Sequence, residues 1–107
     1  MSVPQTSPQE LKRRLDAGER LQILDVREPW ECAIVHLAGS TNIPLSQIPA
    51  RLGELDANTD VVALCKVGGR SLRAAQFLLD SGFSRVTNLA GGIDAWIDEV
   101  DPALPSY

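Results

Sequence analysis

Val61-Val62-Ala63-Leu64 is a run of four apolar residues, two of them β-branched, directly after the polar stretch Asn58-Thr59-Asp60. A short apolar run with that boundary predicts a buried strand, apolar on both faces as in a parallel sheet. Cys65-Lys66-Val67-Gly68-Gly69 follows as a tight loop. Beyond it, Leu72, Ala75 and Leu79 recur at helical spacing, with Ala74 and Leu78 beside them, predicting an amphipathic helix. Strand, tight loop and helix make the repeating unit of an open α/β sheet. Cys65 then stands at the C-terminal end of a strand, where such sheets place their sites.

The loop's composition suits a reactive thiol. Gly68 and Gly69 admit backbone angles that side chains forbid, so the peptide can curl with its N–H groups turned inward. Those donors and the positive end of the following helix favour a negative sulfur. Lys66 and Arg70 add full charges, Arg73 lies one turn further on, and no acid occurs between Asp60 and Asp80. The expectation is a depressed pKa and reaction as thiolate. A lone cysteine can also be a buried structural thiol. The glycines and the local charge favour the reactive reading.

Four residues separate Cys65 from Arg70. This loop resembles the active-site loop of the rhodanese family, in which a cysteine is followed after four residues by an arginine. Phosphatases related in fold carry a loop one residue longer, which makes room for a tetrahedral phosphate. With five intervening residues the closing position here is Ser71, not an arginine. The loop therefore favours sulfur over phosphate.

Further motifs extend the resemblance in the right order. Asp25-Val26-Arg27 with Glu31 is similar to the first rhodanese signature, which is architectural in that family. Read as residues alone, these three allow an acid/base role, but Arg27 and Glu31 are spaced to pair across a helical turn, with Asp25 capping the corner. Val35-His36-Leu37-Ala38-Gly39-Ser40 resembles a turn that the family's histidine holds together, with Val35, Leu37 and Ser40 as departures; a Cys–His nucleophilic pair is the competing reading of His36. Thr41-Asn42-Ile43-Pro44 matches the family's Asn-Ile-Pro, and Leu89-Ala90-Gly91-Gly92 with Trp96 matches its closing motif. A phosphate-binding reading of Gly91-Gly92 has no further glycine or lysine to support it.

Ser7-Pro8-Gln9-Glu10 reads as a helix start, ahead of Leu11 and Leu15, with Gly18 as its stop. Residues 21–26 and 85–89 read as strands, Pro29–Ile34 as a short helix holding a buried Cys32, and Ser46-Gln47-Ile48-Pro49 as the opening of another helix. Gly82-Phe83 reads as a left-handed cap with Phe83 folding back on Leu78 or Leu79.

At 107 residues the chain is expected to be one domain, residues 1–107, with a core over about 8–100 and a tail over 101–107. Its 10 Lys and Arg against 14 Asp and Glu, net −4, argue against nucleic-acid binding, which wants a basic face. Cys32 and Cys65 lie far apart, with no CxxC and a single histidine, so no metal site is expected. One disulfide is arithmetically open, but it would consume the loop thiol. No segment approaches membrane length or resembles a leader peptide, and a reducing cytoplasm suits a working thiol.

The resemblance implies a rhodanese-like α/β fold: a small, mainly parallel sheet with helices on both faces. It implies sulfur transfer, with Cys65 catalytic and Lys66, Val67, Gly68, Gly69, Arg70 and Ser71 forming the loop that binds substrate and stabilises a persulfide. Arg70 would close the loop and Lys66 would attract an anionic donor such as thiosulfate. No metal or organic cofactor is implied. The tail Val100-Asp101-Pro102-Ala103-Leu104-Pro105-Ser106-Tyr107 is similar to the end of the rhodanese domain fused behind adenylyltransferases of the molybdopterin and thiamine pathways, which implies a sulfur-carrier protein or an adenylyltransferase as partner. The competing classes are a cysteine-dependent phosphatase or arsenate reductase on the same fold, and a non-enzymatic regulatory module.

Overall fold

The computed structural model describes residues 3–107. Five strands, β1 (Gln5–Thr6), β2 (Leu21–Asp25), β3 (Thr41–Asn42), β4 (Asp60–Leu64) and β5 (Val86–Leu89), form one sheet in the order β1-β5-β4-β2-β3. Every pairing is parallel. Among the described residues, α1 (Pro8–Asp16), α2 (Pro29–Ile34) and α3 (Gly69–Asp80) connect β1 to β2, β2 to β3 and β4 to β5, two 3-10 segments join β3 to β4, and α4 (Gly92–Glu99) follows β5. Among the described residues no helix is long and apolar enough to cross a membrane.

The strands' alternation builds two cores. From β4, Val61, Ala63 and the following Cys65 face one side with Ala74, Ala75 and Leu78 of α3. Val62 and Leu64 face the other with Leu11 of α1 and Ile93, Trp96 and Ile97 of α4. Helices thus cover both faces, and each fully buried Leu, Ile or Val contributes about 1.5–3 kcal/mol.

Local chemistry sets most boundaries. Ser7 Oγ accepts from Glu10 N at 3.0 Å and Pro8 fills the first turn of α1. Gly82, in the left-handed region, lets Phe83 N donate to Leu78 O at 3.0 Å as α3 ends. Two expectations fail. The helix expected to open at Ser46 is instead a pair of 3-10 segments, Leu45–Gln47 and Pro49–Glu54, with Arg51 outside helical geometry. Pro49 supplies no N–H there, and the remaining bonds are of the tighter i→i+3 kind, such as Arg51 N to Ile48 O. Leu72 is not on the buried face of α3: it is 38% exposed, because it sits about 100° around the helix from buried Ser71. The two-residue β1 had no sequence signal, since pairing with β5 is all that defines it.

The connections after β2 and β4 diverge. From β2 the chain moves outward to β3, and from β4 it moves the opposite way to β5. The crevice at such a reversal, outside the strands' carboxyl ends, is where an open sheet leaves room for a ligand. Cys65 lies at that crevice.

Candidate functional site

Cys65 follows β4 immediately, continues its alternation, and is 1% exposed. The chain then turns through Gly68, whose φ of 114° is open to glycine and strained for other residues. Gly69 differs from expectation: it is the first residue of α3, has no positive φ, and a Cβ on it would meet nothing within 4 Å. Only Gly68 is needed for its backbone angles.

The curl surrounds the sulfur with donors. Gly68 N donates to Cys65 Sγ at 3.0 Å, and the Ser71 hydroxyl donates at 3.4 Å. Burial alone would push the thiol pKa up; hydrogen bonds from the Ser71 hydroxyl and from the amides of Ser71, Gly68 and Val67 outweigh it and hold the pKa below that of an ordinary thiol. The expected direction is right, but Lys66 and Arg70 are not its leading causes.

A second loop fixes this one from behind. Ile93 N and Asp94 N, in the first turn of α4, donate to the carbonyls of Cys65 and Lys66 at 2.9 and 3.1 Å. Those carbonyls are held toward α4, which leaves the N–H groups of the loop free to face the sulfur. The approach is so close that a Cβ on Gly92 would lie 2.5 Å from both oxygens. Asn88 Nδ2 donates to Gly68 O at 3.3 Å from β5.

The loop's cations are committed elsewhere. Arg70 makes a two-pronged pair with Glu31, at 2.7 and 2.9 Å, and Lys66 Nζ lies 2.8 Å from Asp94 Oδ2 and 4.8 Å from the centre of the Tyr107 ring. Arg70 holds the Glu31 pKa down to about 2 against the opposing effect of burial. Tyr107 OH donates to Glu31 Oε1 and accepts from Arg27 Nη1, both at 2.9 Å. Sequence reasoning missed Glu31, Asp94 and Tyr107 as neighbours of the loop. The available signal was the lack of any acid around Lys66 and Arg70, which obliges a buried or half-buried cation to find its partner from another element.

The family model described as "Rhodanese-like domain" matches residues 7–99. The chain belongs to the rhodanese-like domain family. A sulfurtransferase of Allochromatium vinosum is 36% identical over 94 residues, covering 88% of each chain. The probable adenylyltransferase/sulfurtransferase MoeZ of Mycobacterium tuberculosis is 39% identical over 103 residues, covering 94% of this chain and 26% of MoeZ. A rhodanese-like domain protein from Staphylococcus aureus superposes with a TM-score of 0.85 at 31% identity, covering 92% of this chain and 95% of that one. Against the first curated relatives the chain spans only 26% to 54% of their length.

Within this rhodanese-like domain the other signature residues serve structure, with one correction. Arg27 does not pair with Glu31. It is buried with Asp25, its Nη2 2.6 Å from Asp25 Oδ2, and also donates to Val35 O at 2.7 Å. The turn after β2 brings residues two apart face to face, so i,i+4 helical spacing does not apply. His36 is exposed, with Nδ1 3.1 Å from Cys32 O, and is not among the groups bonded to Cys65 Sγ. Both cysteines are free thiols. Cys32 is half-buried rather than buried, and burial together with nearby Asp25 pushes its pKa up to about 11, the reverse of Cys65. Among the described residues, no group of three or more His, Cys, Asp or Glu is placed to hold a metal ion.

Proposed function

We propose that the chain is a sulfurtransferase carrying sulfane sulfur as a persulfide on Cys65. The observation that carries this reading is the ring of uncharged donors, Gly68 N and the Ser71 hydroxyl among them, converging on a buried Cys65 sulfur with a lowered pKa. Such donors stabilise an anionic sulfur before and after it gains a second sulfur atom, by the logic of an oxyanion hole.

In the first half-reaction the Cys65 thiolate attacks the outer sulfur of a donor, thiosulfate or a protein persulfide. A new S–S bond forms at Cys65, and the donor's own S–S bond breaks with its electron pair leaving on sulfite or a thiolate. In the second, a nucleophile such as cyanide attacks the outer sulfur, and Cys65 leaves as thiolate. The covalent intermediate divides one transfer into two displacements and uses no metal or organic cofactor. Lys66, Val67, Gly68, Gly69, Arg70 and Ser71 form the binding loop, with Arg70 shaping it through Glu31. A sulfur-carrier protein or an adenylyltransferase is the proposed partner, and the cytoplasm, where thiols stay reduced, the proposed compartment.

The test is intact-protein mass spectrometry after exposure to a sulfur donor, beside assays with cyanide and with an aryl phosphate. One added sulfur on Cys65, lost on addition of cyanide as thiocyanate appears, is expected. Cys65-dependent phosphate-ester hydrolysis without sulfur loading would overturn the reading.

A further inference from the structure

Resting on the sulfurtransferase reading, a choice between donors is written into the charges of the site. Attack on thiosulfate brings a thiolate and a dianion together, so three negative charges meet on one loop. A site adapted to that donor should present free cations. Here Lys66 faces Asp94 at 2.8 Å, Arg70 is held by both oxygens of Glu31, and Arg27 is buried against Asp25. Arg73 is exposed on α3 about 200° around the helix from Ser71, on the side away from the sulfur.

The cleft beside Lys66, about 190 Å³, is lined by Asp94 and Asp98 as well, two carboxylates to one ammonium. The chain as a whole carries net −4, which slows the approach of a dianion rather than steering it.

What the surroundings offer instead is uncharged surface. Val67, at the tip of the loop, is 64% exposed, and Trp30 is 62% exposed. Trp30 packs edge-on to the Tyr107 ring at 6.0 Å, and that ring carries Lys66 on its face. Val67 thus belongs to the cradle loop itself, and the Trp30–Tyr107 pair adjoins that loop through Lys66.

We propose that Asp94 and Glu31 are specificity-determining residues: by cancelling Lys66 and Arg70 they make Cys65 accept sulfur from the persulfide of an uncharged organic thiol, R–S–SH, in preference to thiosulfate. The Cys65 thiolate attacks the terminal sulfur, and the new bond joins Cys65 Sγ to it. The R–S to S bond breaks with its electron pair on the R–S sulfur, which takes the proton and departs as R–SH. Cys65 persulfide remains as an anion under the loop amides. The sum is transfer of one sulfur atom with no change in total charge and no external oxidant. The body of R lies against Val67 and Trp30.

The experiment compares kcat/KM for thiosulfate and for the persulfide of N-acetylcysteine amide, both with cyanide as acceptor, in the full chain and in Asp94→Asn. The persulfide is expected to be better by about tenfold or more. Asp94→Asn, a half-exposed position, frees Lys66 and moves the ratio toward thiosulfate by about fivefold, the scale of one exposed ion pair. That shift should come through the thiosulfate KM and shrink as salt is added. A preference for thiosulfate in the parent chain, or a ratio unmoved by Asp94→Asn, would overturn the inference while leaving sulfur transfer standing. If neither donor loads Cys65, the sulfurtransferase reading itself falls, and this inference with it.

Discussion

The corner from β4 to α3 and the corner from β5 to α4 are built alike. Each leaves a parallel strand, turns on a left-handed glycine (Gly68 at φ 114° and Gly91 at φ 76°), and opens a helix. Their backbone donors are used differently. The first directs N–H groups at the Cys65 sulfur. The second directs Ile93 N and Asp94 N at the first corner's carbonyls. A strand–glycine–helix corner is thus a generic anion cradle, and it becomes a site only when something else occupies its carbonyls and leaves its amides unspent.

The largest expected effect removes the one atom the second corner lacks. Cys65→Ser should abolish sulfur loading, because a serine oxygen does not carry sulfane sulfur, whereas Cys32→Ser should load normally. Intact mass after donor treatment distinguishes them, and equal loss in both would imply a two-thiol relay. Next is the contact between the corners. Gly92→Ala places a Cβ against two backbone oxygens at a φ of 61°, and should cost at least about 2 kcal/mol, lowering Tm by about 10 °C. A melting curve unchanged by that substitution would mean the corners are not locked together.

Smaller is the share of the Ser71 hydroxyl. In Ser71→Ala the pH midpoint of Cys65 alkylation should rise and sulfur transfer should fall by about tenfold, since one donor of the cradle is lost while its amides remain. The parent midpoint should lie below about 8.5. Acid stability tests the support under Arg70. Glu31 has a folded pKa lowered from 4.5 to about 2, so its contribution is complete above 4.5 and is lost as pH falls through 2. Glu31→Gln should flatten the stability profile over that interval, read from denaturant midpoints at several pH values. The smallest effect is expected at Gly69→Ala, which meets open space at an ordinary φ and should change stability by less than about 1 kcal/mol, toward the stable side.

The chain discloses its corners more readily than its charge pairings. The β4 to α3 corner is local: four apolar residues, a cysteine, two glycines and an amphipathic stretch are enough to place the thiol at a strand's end. Ser7-Pro8 and Pro29–Ile34 were legible for the same reason. Arg70 with Glu31, Lys66 with Asp94 and Tyr107 with Glu31 join residues 39, 28 and 76 apart, so they depend on the sheet order and not on spacing. A spacing of four between Arg27 and Glu31 even pointed to the wrong pair. The 3-10 segments show the limit of periodicity as well, since Leu45, Ile48 and Leu52 follow a helical rhythm that Pro49 cannot sustain.

The bonds from Ile93 and Asp94 to the Cys65 loop also set an order of events during synthesis. The loop's carbonyls have no such partners until β5 and α4 have been made and docked, more than twenty residues after the cysteine itself. The donors to the sulfur come from within the loop, residues 67 to 71, so what α4 adds is the hold on the carbonyls of Cys65 and Lys66. The cradle is therefore held in its final orientation only once α4 has docked, and until then Cys65, not yet buried, is as open to alkylation as any thiol of an unfolded chain.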